Sequence, residues 1–358
     1  MASLITPSIS ASLAGFALAF ASTITSDVLF MVRRFVGLEQ SMVAIERVKE
    51  YSELTREPPE FLEPRPPASW PPEGAIECEN LVILSILISF NNQPELPNVL
   101  HKLNFNILPG EKVGILGRTG SGKSTLALSF FRFVEATQGR ILVDGLDIAK
   151  VGLTDLRRKL TIIPQDPTIL SGSLRSTLDV FNEYEDAEIF EALRRVHLIP
   201  SQETPEEDVA AINQNVFRNL DSSVSEGGEN FSTGEKQLLC MARAILKRSK
   251  VLVMDEVCLN ISQAHESHLP SGHSVDYATD ELIGKTIRHE FAASTILTIA
   301  HRLRTVIDYD RVMLLHQGHI AEFDRPSVLL KDPMSKFYAL CKATGKEEFA
   351  MLKKMAGV

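Results

Sequence analysis

The sequence predicts an α/β domain with a largely parallel sheet and a P-loop, preceded by one membrane-spanning helix. Short β-rich runs, among them KVGILG, RILVDG and VLVMDE, alternate with helical segments, as is typical of a parallel sheet covered by helices. A glycine-rich loop follows the first of these runs and opens a helix. Upstream, residues 1–26 contain no charged side chain, as expected of a segment inside a lipid bilayer.

The N-terminal apolar segment predicts a transmembrane helix near residues 8–32, within a membrane region that we place at residues 1–36. Arg33 and Arg34 follow the apolar run, and this basic pair predicts that the rest of the chain is cytosolic. Small residues recur one turn apart in the segment, which favours packing against other membrane helices. A cleaved signal peptide is the alternative, although it would require a basic stretch before the apolar core.

Two segments connect this helix to the α/β domain. Apolar residues recur at helical spacing between Leu38 and Tyr51 and predict an amphipathic helix. Prolines crowd residues 57–72, so we predict an extended linker along a surface there. The amphipathic helix and the linker together form the region 37–73, and the cytosolic domain comprises residues 74–358.

Composition argues against several classes of function. The net charge of −9 argues against nucleic acid as a partner, because binding a phosphate backbone needs a concentrated basic face. The cysteines lack C-x-x-C spacing, which indicates reduced thiols in a cytosolic domain rather than a zinc site or a disulfide frame. They are Cys78, Cys240, Cys258 and Cys341.

The loop GRTGSGKST matches the pattern G-x-x-x-x-G-K-[ST] between a strand and a helix. Its glycines let backbone amides surround phosphate groups, and the helix N-terminus adds its dipole. Lys123 is expected to reach the β- and γ-phosphates of a nucleotide, and Ser124 to ligate Mg²⁺. The predicted nucleotide-binding residues of this P-loop are Gly117, Arg118, Thr119, Gly120, Ser121, Gly122, Lys123, Ser124 and Thr125.

A second motif, VLVMDE, ends an apolar strand in two adjacent carboxylates. Asp255 is predicted to hold Mg²⁺ through water, and Glu256 to polarise the attacking water. Acidic residues are common at strand ends, but the preceding P-loop makes this pair a strong candidate for the metal-binding and catalytic carboxylates of a nucleoside triphosphatase.

The block FSTGEKQLLCMARAILKRSKVLVMDE resembles the signature and Walker B region of ABC transporter ATPase domains. In that family an S-x-G-[QE] turn opens a helix, and here Ser232 and Gly234 hold the signature positions. The resemblance implies that they bind the γ-phosphate of an ATP presented by a second domain across an interface. This chain carries Phe231 and Glu235 where many members have Leu and Gln.

The resemblance also assigns roles to three residues outside that block. IIPQDP places Gln165 in the Q-loop, where the amide contacts Mg²⁺ and the attacking water, and TIAHRL places His301 at the switch histidine, which contacts the γ-phosphate. Without the resemblance, Gln165 would be interpreted as a loop amide and His301 as a core histidine. Phe90 is the one aromatic residue in the stretch 81–97, where the family stacks an aromatic ring on adenine.

Nearly the whole chain is similar to the second ATPase domain and last transmembrane helix of the subfamily C, multidrug-resistance-protein-like transporters. This resemblance implies a helical subdomain at about residues 166–245. It implies a C-terminal piece of an exporter that uses ATP and Mg²⁺ to export organic anions, conjugates or drugs. The implied partners are a second ATPase domain, further transmembrane domains, membrane lipid and a small-molecule substrate, in a vacuolar or plasma membrane.

The sequence departs from the family at two places. Residues 257–273 separate Glu256 from Ser274-Val275-Asp276, where the family's D-loop pattern resumes, and the first strand is interrupted at about residues 84–93. Translated intron sequence is one hypothesis for both blocks. The alternative function is therefore a fragment that binds ATP but hydrolyses it poorly, because its adenine-stacking loop and its D-loop are disrupted.

Overall fold

The chain consists of two units in the computed structural model, Met1–Pro58 and Pro59–Val358. The structure describes residues 10–54, 56–84, 98–200, 215–255, 283–300 and 302–358. The predictions for Phe90, Glu256 and His301, and those for the interrupted stretches at 85–93 and 257–273, lie outside the described residues.

Among its described residues, the first unit contains one helix, α1 (Ala11–Ser52), capped by the hydroxyl of Ser10, which accepts a hydrogen bond from the amide of Leu13. Part of α1 has a mean hydropathy of 1.6, so by length and composition it could cross a membrane. A signal sequence near the N-terminus has the same properties. The 42-residue helix is about 63 Å long, roughly twice the thickness of a hydrocarbon core. It continues through the segment predicted to be amphipathic.

The second unit contains β-strands in two main sheets. Its strands are β1 (Ile76–Leu84), β2 (Asn98–Ile107), β3 (Lys112–Gly117), β4 (Gln138–Val143), β5 (Leu146–Asp147), β6 (Leu160–Ile163), β7 (Gly172–Ser173), β8 (Ser223–Val224), β9 (Val251–Asp255), β10 (Thr295–Ile299), β11 (Arg311–His316) and β12 (His319–Asp324).

Its helices cover the sheets and form the helical part of the unit. They are α2 (Lys123–Phe130), α3 (Leu153–Lys159), α4 (Leu174–Leu178), α5 (Asp186–Arg195), α6 (Thr233–Lys247), α7 (Leu303–Val306), α8 (Pro326–Leu329), α9 (Lys336–Lys342) and α10 (Lys346–Met355). Residues 283–290 are also helical.

The larger sheet has the strand order β12-β11-β3-β10-β9-β6, and the last five of these strands are parallel. β12 pairs antiparallel with β11 at the edge. Both faces of a parallel sheet are covered, which explains why β9 and β10 are runs of buried residues rather than alternating ones. This sheet confirms the predicted α/β class.

A second, antiparallel sheet has the order β2-β1-β4-β5. The run RILVDG, assigned with the other β-rich runs to a largely parallel sheet, lies in β4 and therefore belongs to this one. The local pattern identifies a strand but not its partner, because pairing depends on how the chain returns to β1. One hydrophobic core joins both sheets to Leu126 and Phe130 of α2.

A separate core lies under the helices α4, α5 and α6. It includes Leu174, Ile189, Leu193, Leu239 and Met241, all fully buried. These helices fall within the stretch for which the sequence predicts a helical subdomain.

The proline-rich linker is fastened to the second unit along its length. The amide of Leu153 donates to the carbonyl of Pro59 at 3.2 Å. The buried indole of Trp70 donates to a backbone carbonyl of β4 at 2.9 Å. Asp144 accepts the amides of residues 73–75 at 3.0, 2.9 and 2.7 Å. The linker therefore packs against the strands of the second unit, which begins at Pro59.

An ion pair in the linker predicts a pH-dependent contact. The Arg65 guanidinium donates to both carboxylate oxygens of Asp155, at 3.1 and 2.6 Å, and this hydrogen-bonded partner lowers the pKa of Asp155. A lowered carboxylate pKa stabilises the folded linker above the unfolded pKa of about 4, and this contribution is lost as the pH falls through the folded value.

We expect hydrogen-exchange protection of residues 60–70 to fall in the wild type as the pH drops from about 6 to about 3. Asp155→Asn should show weaker protection at the higher pH and a smaller change with pH. Glu79→Gln, which breaks the exposed pair with Arg140 (2.7 Å) away from the linker, is the control. An unchanged pH response in Asp155→Asn would contradict the assignment.

Candidate nucleotide site

The P-loop joins the end of β3 to the start of α2, and its backbone requires glycine. Gly120 and Gly122 have φ angles of 80° and 98°, which side chains with a Cβ adopt only with strain. A Cβ on Gly122 would also lie 2.4 Å from Leu100 Cδ2. Glycine at this position allows the chain to pass close to β2 and to turn into α2. The free amides at the start of the helix then face the loop.

Lys123 folds back over the P-loop. Its side chain is 5 % exposed, and its Nζ donates to the carbonyls of Gly117 and Arg118, at 2.8 and 3.2 Å. The ammonium group and the amides at the start of α2 form a site for an anion. Ser121 Oγ is buried and has no hydrogen-bond partner among the described residues, so the loop retains an unused polar atom. Ser124 at the start of α2 is exposed.

The carboxyl ends of four neighbouring parallel strands meet at the edge of the sheet that carries the P-loop. Ile299 at the end of β10 pairs with Ile115 of β3 on one side and with Asp255 of β9 on the other. β6 ends at Ile163, beside β9, and Gln165 follows in an exposed bend. The structure therefore brings Gln165 and Asp255 to the same edge as the P-loop.

Two further predicted residues, Glu256 and His301, directly follow residues that lie at this edge. Asp255 is half-buried at the end of β9, and Ala300 is buried one residue after β10, where its amide donates to Ile115 at 3.0 Å. Glu256 and His301 come directly after these two residues in the chain. The Ser124 hydroxyl, the Asp255 carboxylate and the Gln165 amide come from separate segments next to the anion site. Their oxygens are ligands that suit Mg²⁺ bound together with phosphate oxygens.

The signature residues Ser232 and Gly234 lie at the start of α6, in the helical part of the unit. Ser232 is the N-cap, and its Oγ accepts a hydrogen bond from the amide of Glu235 at 3.2 Å. The Glu235 carboxylate accepts the amide and the hydroxyl of Ser232, at 2.7 and 2.8 Å. Phe231 is buried and stacks on Phe217. The S-x-x-E spacing was the sequence signal for this capping box.

One support of the P-loop was missed by sequence reasoning. The turn between β11 and β12 lies against the loop, where the amide of Gly318 donates to the backbone carbonyl of Ser121 at 3.3 Å. Gly318 in turn accepts the amide of His101 from β2 at 2.9 Å. A Cβ on Gly318 would meet the carbonyl of Val99 at 2.2 Å. No local motif marks this glycine, because the contact joins segments far apart in the chain.

The geometry agrees with the comparisons to known proteins. A family model described as ABC transporter matches residues 100–259. The chain is 44% identical over 347 residues to a pleiotropic ABC efflux transporter of multiple drugs, YBT1, from Candida glabrata, covering 94% of this chain and 20% of that protein. Residues 100–259 of the chain belong to the ABC transporter family.

Other ABC transporters show the same relationship. The chain is 42% identical to the metal resistance protein YCF1 of Saccharomyces cerevisiae over 338 residues, covering 94% of this chain and 20% of that protein. It is also 42% identical to ATP-binding cassette sub-family C member 2 of Rattus norvegicus over 333 residues, covering 93% and 20%. The chain therefore spans about a fifth of the length of the curated relatives it matches.

A solved ABC exporter confirms the predicted fold. The structure of a bacterial Atm1-family ABC exporter with ATP bound matches with a TM-score of 0.63 and 26% sequence identity, covering 85% of this chain and 48% of that one. The P-loop, Gln165, the signature and Asp255 all fall within the range matched by the ABC transporter family model, whereas His301 lies beyond it. The chain thus contains an ABC transporter ATPase domain.

Proposed function

We propose that this ATPase domain binds ATP with Mg²⁺ and hydrolyses it to power the export of small organic anions, conjugates or drugs by a membrane transporter. The observation that carries the proposal is the convergence of the P-loop, Asp255 and Gln165 at one edge of a parallel sheet. A relative named as an efflux transporter of multiple drugs supports the class of substrate. The vacuolar or plasma membrane is the proposed location.

The P-loop residues bind the nucleotide in this proposal. Lys123 neutralises the β- and γ-phosphates, and the amides between Gly117 and Lys123 surround them. Ser124 and Asp255 would hold Mg²⁺. Phe90 is the proposed stacking partner of adenine. Mg²⁺ neutralises phosphate charge when it is bound.

Hydrolysis uses residues on the neighbouring loops. Glu256 takes a proton from the attacking water, and Gln165 orients that water and contacts Mg²⁺. His301 donates a hydrogen bond to the γ-phosphate. Ser232 and Gly234 act on the ATP of a second ATPase domain, because the start of α6 is exposed and presents free amides.

A second candidate function is ATP binding without efficient turnover. Residues 257–273 directly follow Glu256 and precede the D-loop pattern, so they interrupt the segment that would carry Glu256 into the interface with the second ATPase domain. The P-loop lies outside this interruption, and so ATP binding is retained in this alternative.

A chimaera separates the two candidates. This chain replaces the corresponding fifth of the Candida glabrata efflux transporter, and ATP-dependent drug efflux is measured in vesicles, while ATP binding is measured on this chain by itself in detergent. Efflux that disappears in Lys123→Ala supports the proposed function. If this chain binds ATP but the chimaera shows no efflux, and efflux returns when residues 257–273 are replaced by a short loop, the second candidate is supported. A chain that binds no ATP contradicts both.

A further inference from the structure

The segment that carries Gln165 has no regular secondary structure of its own between β6 and β7. Its position therefore depends on the groups that hold its two ends. β6 fixes the near end through its pairing with β9. The far end is held by side chains of the helical part of the unit.

Arg243 of α6 holds that far end. Its Nη1 donates to the carbonyl of Thr168, three residues after Gln165, at 3.1 Å. Its Nε donates to the carbonyl of Thr177 in α4 at 2.6 Å. The two bonds use separate nitrogens of one planar group, so this side chain links the Gln165 segment to α4, beside the direct bond from Thr177 Oγ1 to the carbonyl of Leu170 at 3.4 Å.

Lys247, one helical turn further along α6, holds the start of β6, the strand that leads into this segment. Its Nζ donates to the carbonyls of Arg157 and Leu160, at 2.8 and 2.7 Å, where α3 passes into β6. α6 therefore contacts the chain both before and after Gln165. The Gln165 segment is thus joined to this helix as well as, through β6, to β9.

The signature lies on this same helix. Ser232 caps α6, and Arg243 is 11 positions further on, roughly 16 Å along the helix axis. Ile169 adds an apolar link, because it is 2 % exposed and would lie 3.0 Å from a Cβ on Gly228, four residues before Ser232. The Gln165 segment is thus joined to α6 through Arg243 and to the chain before the signature through Ile169.

We propose that Arg243 is a positioning residue that makes Gln165 and Ser232 move as one body, and so couples the ATP in this chain's P-loop to the ATP that Ser232 binds on a second ATPase domain. The inference rests on the proposed function of Gln165 and Ser232. A shift of α6 on engaging the partner's γ-phosphate then moves Gln165 relative to Mg²⁺. Removing the guanidinium leaves the Gln165 segment held by β6, by the packing of Ile169 and by the bond from Thr177 Oγ1 to the carbonyl of Leu170 at 3.4 Å, and frees the carbonyl of Thr168.

The test uses the full chain in detergent, with ATP affinity measured in Mg²⁺ and again in a chelator. Gln165→Ala should reduce the affinity gained from Mg²⁺ about tenfold, the low end of what loss of a metal-orienting group costs. Arg243→Gln should cause a similar loss, and the double variant should lose no more than either single one. Arg243→Lys should resemble Arg243→Gln, because a single ammonium nitrogen cannot occupy the separate positions of Nε and Nη1, from which Arg243 reaches Thr177 and Thr168.

Controls separate positioning from folding. Arg194→Gln removes an arginine that pairs only with Glu191 among the described contacts of its side chain, and should leave the response to Mg²⁺ unchanged. Hydrogen exchange of residues 166–170 should rise in Arg243→Gln, while exchange in α6 stays near the wild-type value. Equal loss of affinity with and without Mg²⁺ would overturn the inference, since Arg243 would then support the fold in general.

The test also separates this inference from the proposed function. If Gln165→Ala changes the response to Mg²⁺ and Arg243→Gln does not, only the inference fails. If Gln165→Ala itself has no effect on that response, the proposed role of Gln165 is wrong, and the inference about Arg243 is wrong as well.

Discussion

We expect Lys123→Ala to lower the affinity of the full chain for Mg²⁺-ATP by at least about 100-fold. The ammonium lies within the P-loop, 2.8 Å from the carbonyl of Gly117, and is nearly buried. Each hydrogen bond between a charged donor and a phosphate contributes about 1.5 to 3 kcal/mol, and Lys123 is proposed to contact two phosphates. A loss of about 3 kcal/mol corresponds to more than 100-fold in the dissociation constant.

The measurement is the binding isotherm of ATP with excess Mg²⁺, by calorimetry or with a fluorescent ATP. Lys150→Ala removes a lysine that is exposed at the end of a short turn, and it should bind ATP like the wild type. Thermal unfolding of both variants checks that the fold is retained. Wild-type affinity in Lys123→Ala would contradict the assignment of this loop as the nucleotide site.

Glu256→Gln is expected to lower the rate of ATP hydrolysis in the chimaera by about 10²- to 10⁴-fold, the range for loss of a general base. The amide has nearly the same shape as the carboxylate but cannot accept the proton of the attacking water. ATP affinity should be retained, because the P-loop contacts remain and one negative charge near the phosphates has been removed.

Asp255→Asn is the matched comparison for this second prediction. It removes a carboxylate from the adjoining position, half-buried at the end of β9, and should raise the Mg²⁺ concentration needed for hydrolysis rather than abolish the proton transfer. Steady-state hydrolysis at several Mg²⁺ concentrations distinguishes the two effects. If Glu256→Gln turns over ATP as fast as the wild-type chimaera, another group is the base.

Much of the candidate site could be predicted from the sequence because its chemistry is local. The P-loop needs its glycines, lysine and serine within nine successive residues, Gly117 to Thr125, and the structure places them between β3 and α2 as that pattern requires. The capping box at Ser232 follows in the same way from residues three apart. Gln165, by contrast, was assigned through a resemblance, since one amide in a loop has no distinctive local pattern.

The sequence by itself therefore determined the strands, the P-loop, the apolar N-terminal helix and the residue types available for chemistry, because hydrophobic period and turn chemistry act over a few residues. Only the tertiary structure decided that β10 lies between β3 and β9, that β4 joins an antiparallel sheet, and that Arg243 reaches Thr168 across 75 positions of sequence. Such contacts depend on which buried faces pack together, and that choice is made by the whole chain rather than by any one segment of it.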